Sequence, residues 1–378
     1  MKIKCAIFAV LVAFLVLVIN PGSVADPIDV VRNKGVLDAE DFKIIDDFIA
    51  QKIQELVRTR DFTSIAKVRT VILSKQSTQG QYAQKFSESA RKHIADGFRQ
   101  ADALRRPERE TAVIINLLIL MDGLQDLGLA DLAIERLKHE NMVIRYWAVH
   151  CLTNPGVISQ LNSAANPNSN QATVIAGQFK ELIETSSPEI IALIAQFAAG
   201  VNIPQGEELL LQIADVRINR YADWTVKFEL YDCAILKFLS DKIPLASEDL
   251  NITLPTTGST KPQIARRFAQ LYSYAIQRYV KGDGFLNDIQ KSHLVSVLVE
   301  TENKCIGRLL DRPQLTIRRA IERNNIKDIL AEHDRLLGSA TTPGQLPAKL
   351  SFDYGTNRTG LKLAAPLPLP NPPTKPPK

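Results

Sequence analysis

The sequence predicts an all-α chain, and within that class a right-handed α-solenoid of stacked helix hairpins. Three observations carry the expectation. Apolar residues recur at the helical period in almost every segment and alternate in almost none. Aromatic residues make up only 6% of the chain, while Leu, Ile and Ala dominate its apolar positions. Two hairpin-like stretches also repeat. The turn at Asn141 and the turn at Ser187 lie 46 residues apart and align Ile144 with Ile190, inside the roughly 40–47 expected of repeats built from two or three helices.

Taken in order, the elements begin with a leader. Lys2 and Lys4 precede the uncharged run Ala6 to Ile19, which Pro21 and Gly22 end, and Ser23-Val24-Ala25 supplies small residues before Asp26. The run has 14 residues, against the roughly 20 a spanning helix needs. Residues 1–25 are therefore expected to be a signal peptide cleaved after Ala25, and the protein to be secreted or periplasmic, with no stable transmembrane anchor. Residues 26–106 form an N-terminal helical region. Asp38, with Asp41 three residues on, caps a helix whose stripe is Phe42, Ile45, Phe48, Ile49, Ile53 and Leu56. A short helix follows from Phe62 to Leu73, and then a long polar amphipathic one from Gln81 to Leu104. Pro107 opens a helix that is apolar all round between Ala112 and Met121 except at Asn116, as befits one buried among others.

Residues 107–242 read as the repeat core. Leu127 to Lys138 is a first helix, His139-Glu140-Asn141 a turn, and Met142 to Leu152 a second helix. Ile144, Trp147, Ala148, Cys151 and Leu152 share its inner side, with Tyr146, Val149 and His150 opposite. The plan recurs at 173–200, and a third pair, 206–218 with 223–239, echoes it: Val226 precedes Cys233 by the same seven residues that separate Ile144 from Cys151. The segment 153–171, rich in Asn, Ser, Pro and Gly, reads as a long exposed loop, and 243–263 as a linker or crossing segment. A C-terminal helical region spans 264–338. From Ser339 the helical period stops, and nine of the twenty prolines fall in 339–378, which is expected to be a disordered, extended tail, a spacer or unstructured end with a docking ligand as the alternative.

The second-helix pattern Ile144-Arg145, Ala148, Leu152 resembles a HEAT repeat, of the HEAT/armadillo-like families that also include the phycobilisome-lyase-like repeats. The resemblance is clearest at 127–152. It implies that Arg145 pairs with an acid in the turn, here Glu140. It further implies that second helices line an inner curve, so Tyr146, Val149 and His150 are candidates for a partner-binding face, with plain solvent exposure the other reading. The usual turn aspartate is absent, and Ile191 stands where the next unit would carry its arginine. The stacking has a physical motive. A pair of short helices cannot bury both apolar faces alone, so neighbours share one continuous core.

Charge narrows the function. The formal net charge is +5, but the leader removes two positive charges; residues 339–378 carry +4, leaving 26–338 at −1. No concentrated basic face remains for a nucleic-acid partner. Three cysteines follow the leader, Cys151, Cys233 and Cys305, each within an apolar helical run. They read as buried small hydrophobes, with one disulfide among them the other possibility. No HExxH, GxSxG, phosphate-binding glycine loop or GxGxxG occurs, so neither metal nor cofactor is expected. In "KGDGFLND", Asp283 has the look of a calcium loop, but Phe285 breaks the ligand series and a turn capping the next helix accounts for it better. The leading expectation is a non-catalytic protein-interaction scaffold of the cell envelope. An all-helical polysaccharide lyase or glycosidase, with a dispersed site around His93, His293 or Tyr221, is one alternative. A structural envelope component is another.

Overall fold

The computed structural model describes residues 26–78, 80–163, 170–244, 261–356, 360 and 362–373. The expected leader and most of the 243–263 linker lie outside the described residues. Among those described, the chain is all-helical: it has no strand, only two isolated β-bridges, Gly338 with Pro343 and Thr356 with Lys362. No described helix is long and apolar enough to cross a membrane. The chain divides into two compact units, residues 1–129 and 130–378.

The first unit holds α1 (Pro27–Arg32), α2 (Ala39–Arg58), α3 (Phe62–Ser74), α4 (Gly80–Asp102) and α5 (Pro107–Leu124). The predicted cap is present: Asp38 and Asp41 form a reciprocal capping box that satisfies the first amides of α2. Below it the stripe turns inward, with Ile45, Ile49, Ile53 and Leu56 buried and the two phenylalanines at its margin. That stripe packs on α4, whose Phe86, Ala90, Ile94 and Phe98 are buried in return. The two helices come close because Gly97 carries no Cβ; one added there would meet Ile53 Cγ2 at 3.0 Å. The apolar helix α5 packs on α2, α3 and α4. Arg109 donates to the Thr59 carbonyl at 3.2 Å, and Gln76 to that of Leu124 at 2.9 Å. The helix at 107–124 thus belongs to the N-terminal unit, and the division falls at 129/130 where the sequence suggests 106/107.

The second unit opens with a short α6 (Ala130–Ile134), after a single 3₁₀ turn at Leu127–Leu129 that ends the first unit. The continuous helix expected over 127–138 is therefore broken. α7 (Met142–Thr153) follows as predicted, N-capped by Asn141. The expected loop at 153–171 instead begins with α8 (Pro155–Leu161): Asn154 accepts the Gly156 amide at 2.9 Å and Pro155 takes the first helical position, a start signal that composition alone hides. Then come α9 (Gln171–Leu182), α10 (Pro188–Gly200) and α11 (Pro204–Ala222). Next is the α12 group, a 3₁₀ turn at Glu229–Tyr231 running into α12 (Asp232–Asp241). Residues 223–228 are not helical, and Trp224 and Phe228 adopt left-handed φ of 58° and 52°. Val226 thus lies outside the helix that carries Cys233, so its echo of Ile144 and Cys151 has no structural counterpart.

Four larger elements complete the unit: α13 (Lys261–Lys281), α14 (Asp288–Thr301), α16 (Thr316–Glu322) and α17 (Ile326–Leu337), with α15 (Gly307–Leu309) and α18 (Gln345–Leu350) as short links. Asn287 and Gln290 cap α14, while Asp283 holds Lys291 at 2.7 Å. α9 packs on α11 and α11 on α13, while α7 packs on α10, α10 on α12 and α12 on α14. Phe179 of α9 and Phe197 of α10, both fully buried, close their hairpin edge to face at 5.1 Å.

The C-terminal segment differs most from expectation. Residues 339–356 and 362–373 fold back onto α13 and α17 instead of trailing as a disordered tail. Gly338, at φ 107°, turns the chain where a Cβ would meet the Ala364 carbonyl at 2.3 Å. Tyr354 donates to the Leu337 carbonyl at 2.8 Å, and Arg266 takes the Asp353 carbonyl at 2.6 Å. Leu346, Phe352 and Leu369 are buried. Apolar residues spaced without a helical period still bury surface when an extended segment lies along a helix, which periodicity alone does not detect.

Candidate functional site

On α7 the expected core residues Ile144, Ala148, Cys151 and Leu152 are buried. Val149 is fully buried as well, because the packing of α7 on α10 covers a wider arc than one stripe. It leaves the expected partner-binding face. Tyr146 and His150 stay half-exposed, and Trp147, expected in the core, joins them. Their rings form one cluster: Trp147 stands 5.1 Å from His150 and 5.7 Å from Tyr146, centroid to centroid. Tyr231 lies on the same side, its phenol held above its ordinary pKa by burial, then by the Glu189 carboxylate and the Tyr146 hydroxyl. Exposed Phe228 and Leu230 flank it. Arg145 donates to the carbonyls of His139 and Glu140 at 2.8 and 2.9 Å. It ties the turn through backbone oxygens, where a Glu140 carboxylate pair was expected.

The strongest electrostatics lie deeper. Arg217 of α11 forks onto Asp232 of α12, Nε to Oδ1 at 2.7 Å and Nη2 to Oδ2 at 2.8 Å. Tyr221 donates a third bond to Asp232 Oδ2, also at 2.8 Å. Beside it Arg278 of α13 donates to Glu229 Oε1 at 3.2 and 3.1 Å. All four charged side chains are at most 1% exposed. Burial lowers the Arg217 pKa, and the Asp232 carboxylate more than offsets it, so the guanidinium stays charged. Burial first, and then Asp232, drives the Tyr221 phenol far above its usual range. Arg278 also lies 5.0 Å from the ring of Trp224, a residue in a left-handed conformation that costs about 1–2 kcal/mol. Tyr221 therefore gathers two arginines and two carboxylates, all of them buried.

A second buried set escaped the sequence reading. Ser273 Oγ of α13 lies 2.8 Å from His333 Nε2 of α17, and His333 Nδ1 lies 2.9 Å from Asp334 Oδ1. The connectivity is that of a nucleophile, base and orienter. Its setting is different: Ser273 is fully buried in mid-helix and also accepts from Gln277 at 2.8 Å. Asp334, the orienter, is exposed. The set knits α13 to α17. Close by, buried Glu302 accepts the amides of Ile317 and Arg318 at 2.8 and 2.9 Å. It caps α16, whose own N-cap, Leu315, has no side-chain oxygen to offer.

The other expected positions are separate from these. His93 faces Asp46 at 3.2 Å on α4, beside a shallow groove lined by Lys43, Lys85, Glu88 and Lys92. His293 is half-buried on α14. A further groove of about 510 Å3 in the first unit is lined by Arg60, Arg105, Arg106 and Arg109 together with Glu108. Among the described residues no three His, Cys, Asp or Glu side chains are placed to hold a metal ion. Cys151, Cys233 and Cys305 are free thiols. Burial pushes both Cys233 and Cys305 up to about 11. No family model, curated protein or solved structure matches the chain.

Proposed function

We propose that this chain is an exported helical-repeat scaffold, non-catalytic, whose second helices present an aromatic surface to a protein partner in the cell envelope. The observation that carries the reading is the half-exposed cluster of Tyr146, Trp147 and His150 with Tyr231 and Phe228 beyond it. Aromatic side chains at a surface supply contact area at low entropic cost and are enriched at binding hot spots. Support for the repeat comes from the packing order, α9 on α11 and α11 on α13, with α7 on α10, α10 on α12 and α12 on α14. Neighbour-on-neighbour packing of this kind is what stacked repeats require. Export rests on the leader sequence alone. The catalytic alternative has less support, since the carboxylates around Tyr221 are buried.

The test compares the full chain with a Trp147→Ala/Tyr231→Ala variant after crosslinking in envelope extract. Both side chains are partly exposed, so the variant should melt within a few degrees of the parent while losing at least one crosslinked protein. Identical crosslinked sets from two folded proteins would defeat the reading.

A further inference from the structure

Residues 366–370, Pro-Leu-Pro-Leu-Pro, lie along α13 with a burial pattern that repeats every third residue. Pro366 is buried and Leu369 is 1% exposed, whereas Leu367, Pro368, Pro370 and Asn371 face outward. That is the period of a polyproline II helix, which has three residues per turn and makes no hydrogen bonds of its own. Such a segment offers every backbone group to its surroundings. Only two of these five residues carry an amide hydrogen, Leu367 and Leu369, and each meets a glutamine. Gln270 Oε1 accepts from Leu367 N at 2.8 Å and its Nε2 donates to Leu367 O at 3.1 Å. Gln277 Oε1 accepts from Leu369 N at 2.8 Å. Lys281 Nζ donates to Leu369 O, and the Trp224 indole to Pro370 O at 3.0 Å.

The receiving side is rigidly supported. Gln277 is braced by Ser273 at 2.8 Å, and Trp224 by the Arg278 guanidinium and by Phe285 at 5.2 Å. These contacts read a backbone in one extended conformation and one apolar side chain, Leu369. None of them uses the covalent link between the segment and the helices. A side-chain ladder for amides, a tryptophan donor for a carbonyl and a pocket for one leucine make a recognition site for proline-rich peptide.

We propose that Gln270, Gln277, Lys281 and Trp224 form a polyproline II binding site whose resident ligand is this chain's own residues 366–370, and that a leucine–proline segment of another polypeptide binds by displacing it. The site is distinct from the α7 surface, so either can fail without the other. Its tether governs how it responds. A ligand tethered beside its site sees that site at up to about millimolar effective concentration. A free peptide that binds with a Kd near 100 µM is then suppressed about tenfold.

The experiment uses full-length protein and a fluorescein-labelled peptide of residues 364–373, read by anisotropy. Leu369→Asp in the chain should release the tail and raise the peptide's affinity at least about tenfold over the parent protein. Adding Gln270→Ala and Gln277→Ala should abolish that gain, and a peptide bearing aspartate at the position of Leu369 should bind neither. If Leu369→Asp lowers the melting temperature too far for titration, Leu369→Ala makes the same comparison. The proposal is overturned if the folded, released chain shows no saturable binding, or if it binds the wild-type peptide equally with and without the two glutamines.

Discussion

Replacing Asp232 with alanine leaves the Arg217 guanidinium buried, with the three bonds that converge on Asp232 removed. Those bonds are 2.7, 2.8 and 2.8 Å long, and both partners are at most 1% exposed. Breaking a buried pair from one side costs about 3–5 kcal/mol, because the surviving charge has no solvent to return to. A unit the length of residues 130–378 loses roughly 2–4 °C per kcal/mol. The Asp232→Ala protein is therefore expected to melt about 6–20 °C lower by calorimetry, provided that it stays two-state. The paired replacement Arg217→Met/Asp232→Leu removes both charges and fills their volume, and should recover most of the loss. The coupling energy of that cycle, from chemical denaturation, tests the argument. An Asp232→Ala cost under about 1 kcal/mol, or a double variant no better than the single, would show that the pair is not the anchor described.

Other outcomes follow from the same coordinates. Phe197→Ala opens the α9–α10 hairpin beneath Phe179 and should cost about 3–5 kcal/mol in urea denaturation; a loss below 1 would mean the hairpin is closed elsewhere. On the acid side, the Ser64 hydroxyl and amide hold Asp61 below 3.8. Asp46 is raised by burial but brought below 3.8 by Lys92, Ser89 and His93. Both contributions are present above pH 3.8 and are lost as pH falls through the lower folded-state values, so the melting temperature should drop there. Asp46→Asn/Asp61→Asn should flatten that limb, and an unchanged slope would contradict the assignment. On the alkaline side, Cys305 stands at about 11 against an ordinary 9.0. Stability should fall between those values as the unfolded thiol ionises first, and Cys305→Ala should remove that part of the decline. A native Cys305 that reacts at pH 8 as fast as the denatured chain would refute its burial.

The helices that were legible in the sequence are those whose burial follows one regular period. Ile45, Ile49, Ile53 and Leu56 are spaced for one face, and Asp38 sits where a helix start needs an oxygen acceptor, so α2 could be read directly. The same holds for Ile144, Ala148 and Leu152 on α7. Val149 was misplaced because a helical wheel assigns one inner face, whereas a helix packed between neighbours is covered on two. Ser273, His333 and Glu302 gave no signal, since their partners lie 60, 60 and 15 residues away and no short motif spans such separations. The tail was misread for a related reason. Proline-rich composition specifies an extended conformation but is silent on whether a surface waits to receive it.

By itself, then, the chain determined the helices whose apolar residues keep one period, and the 46-residue turn spacing, because both arise from local preferences and from apolar periodicity along the backbone. Tertiary structure alone decided which charges would share a dry core, which aromatic rings would remain at the surface, and that Leu369 would end beneath Trp224 and α13. Each of these depends on bringing distant residues to within a few ångströms, where desolvation and hydrogen-bond geometry set the outcome, and no local pattern encodes that distance.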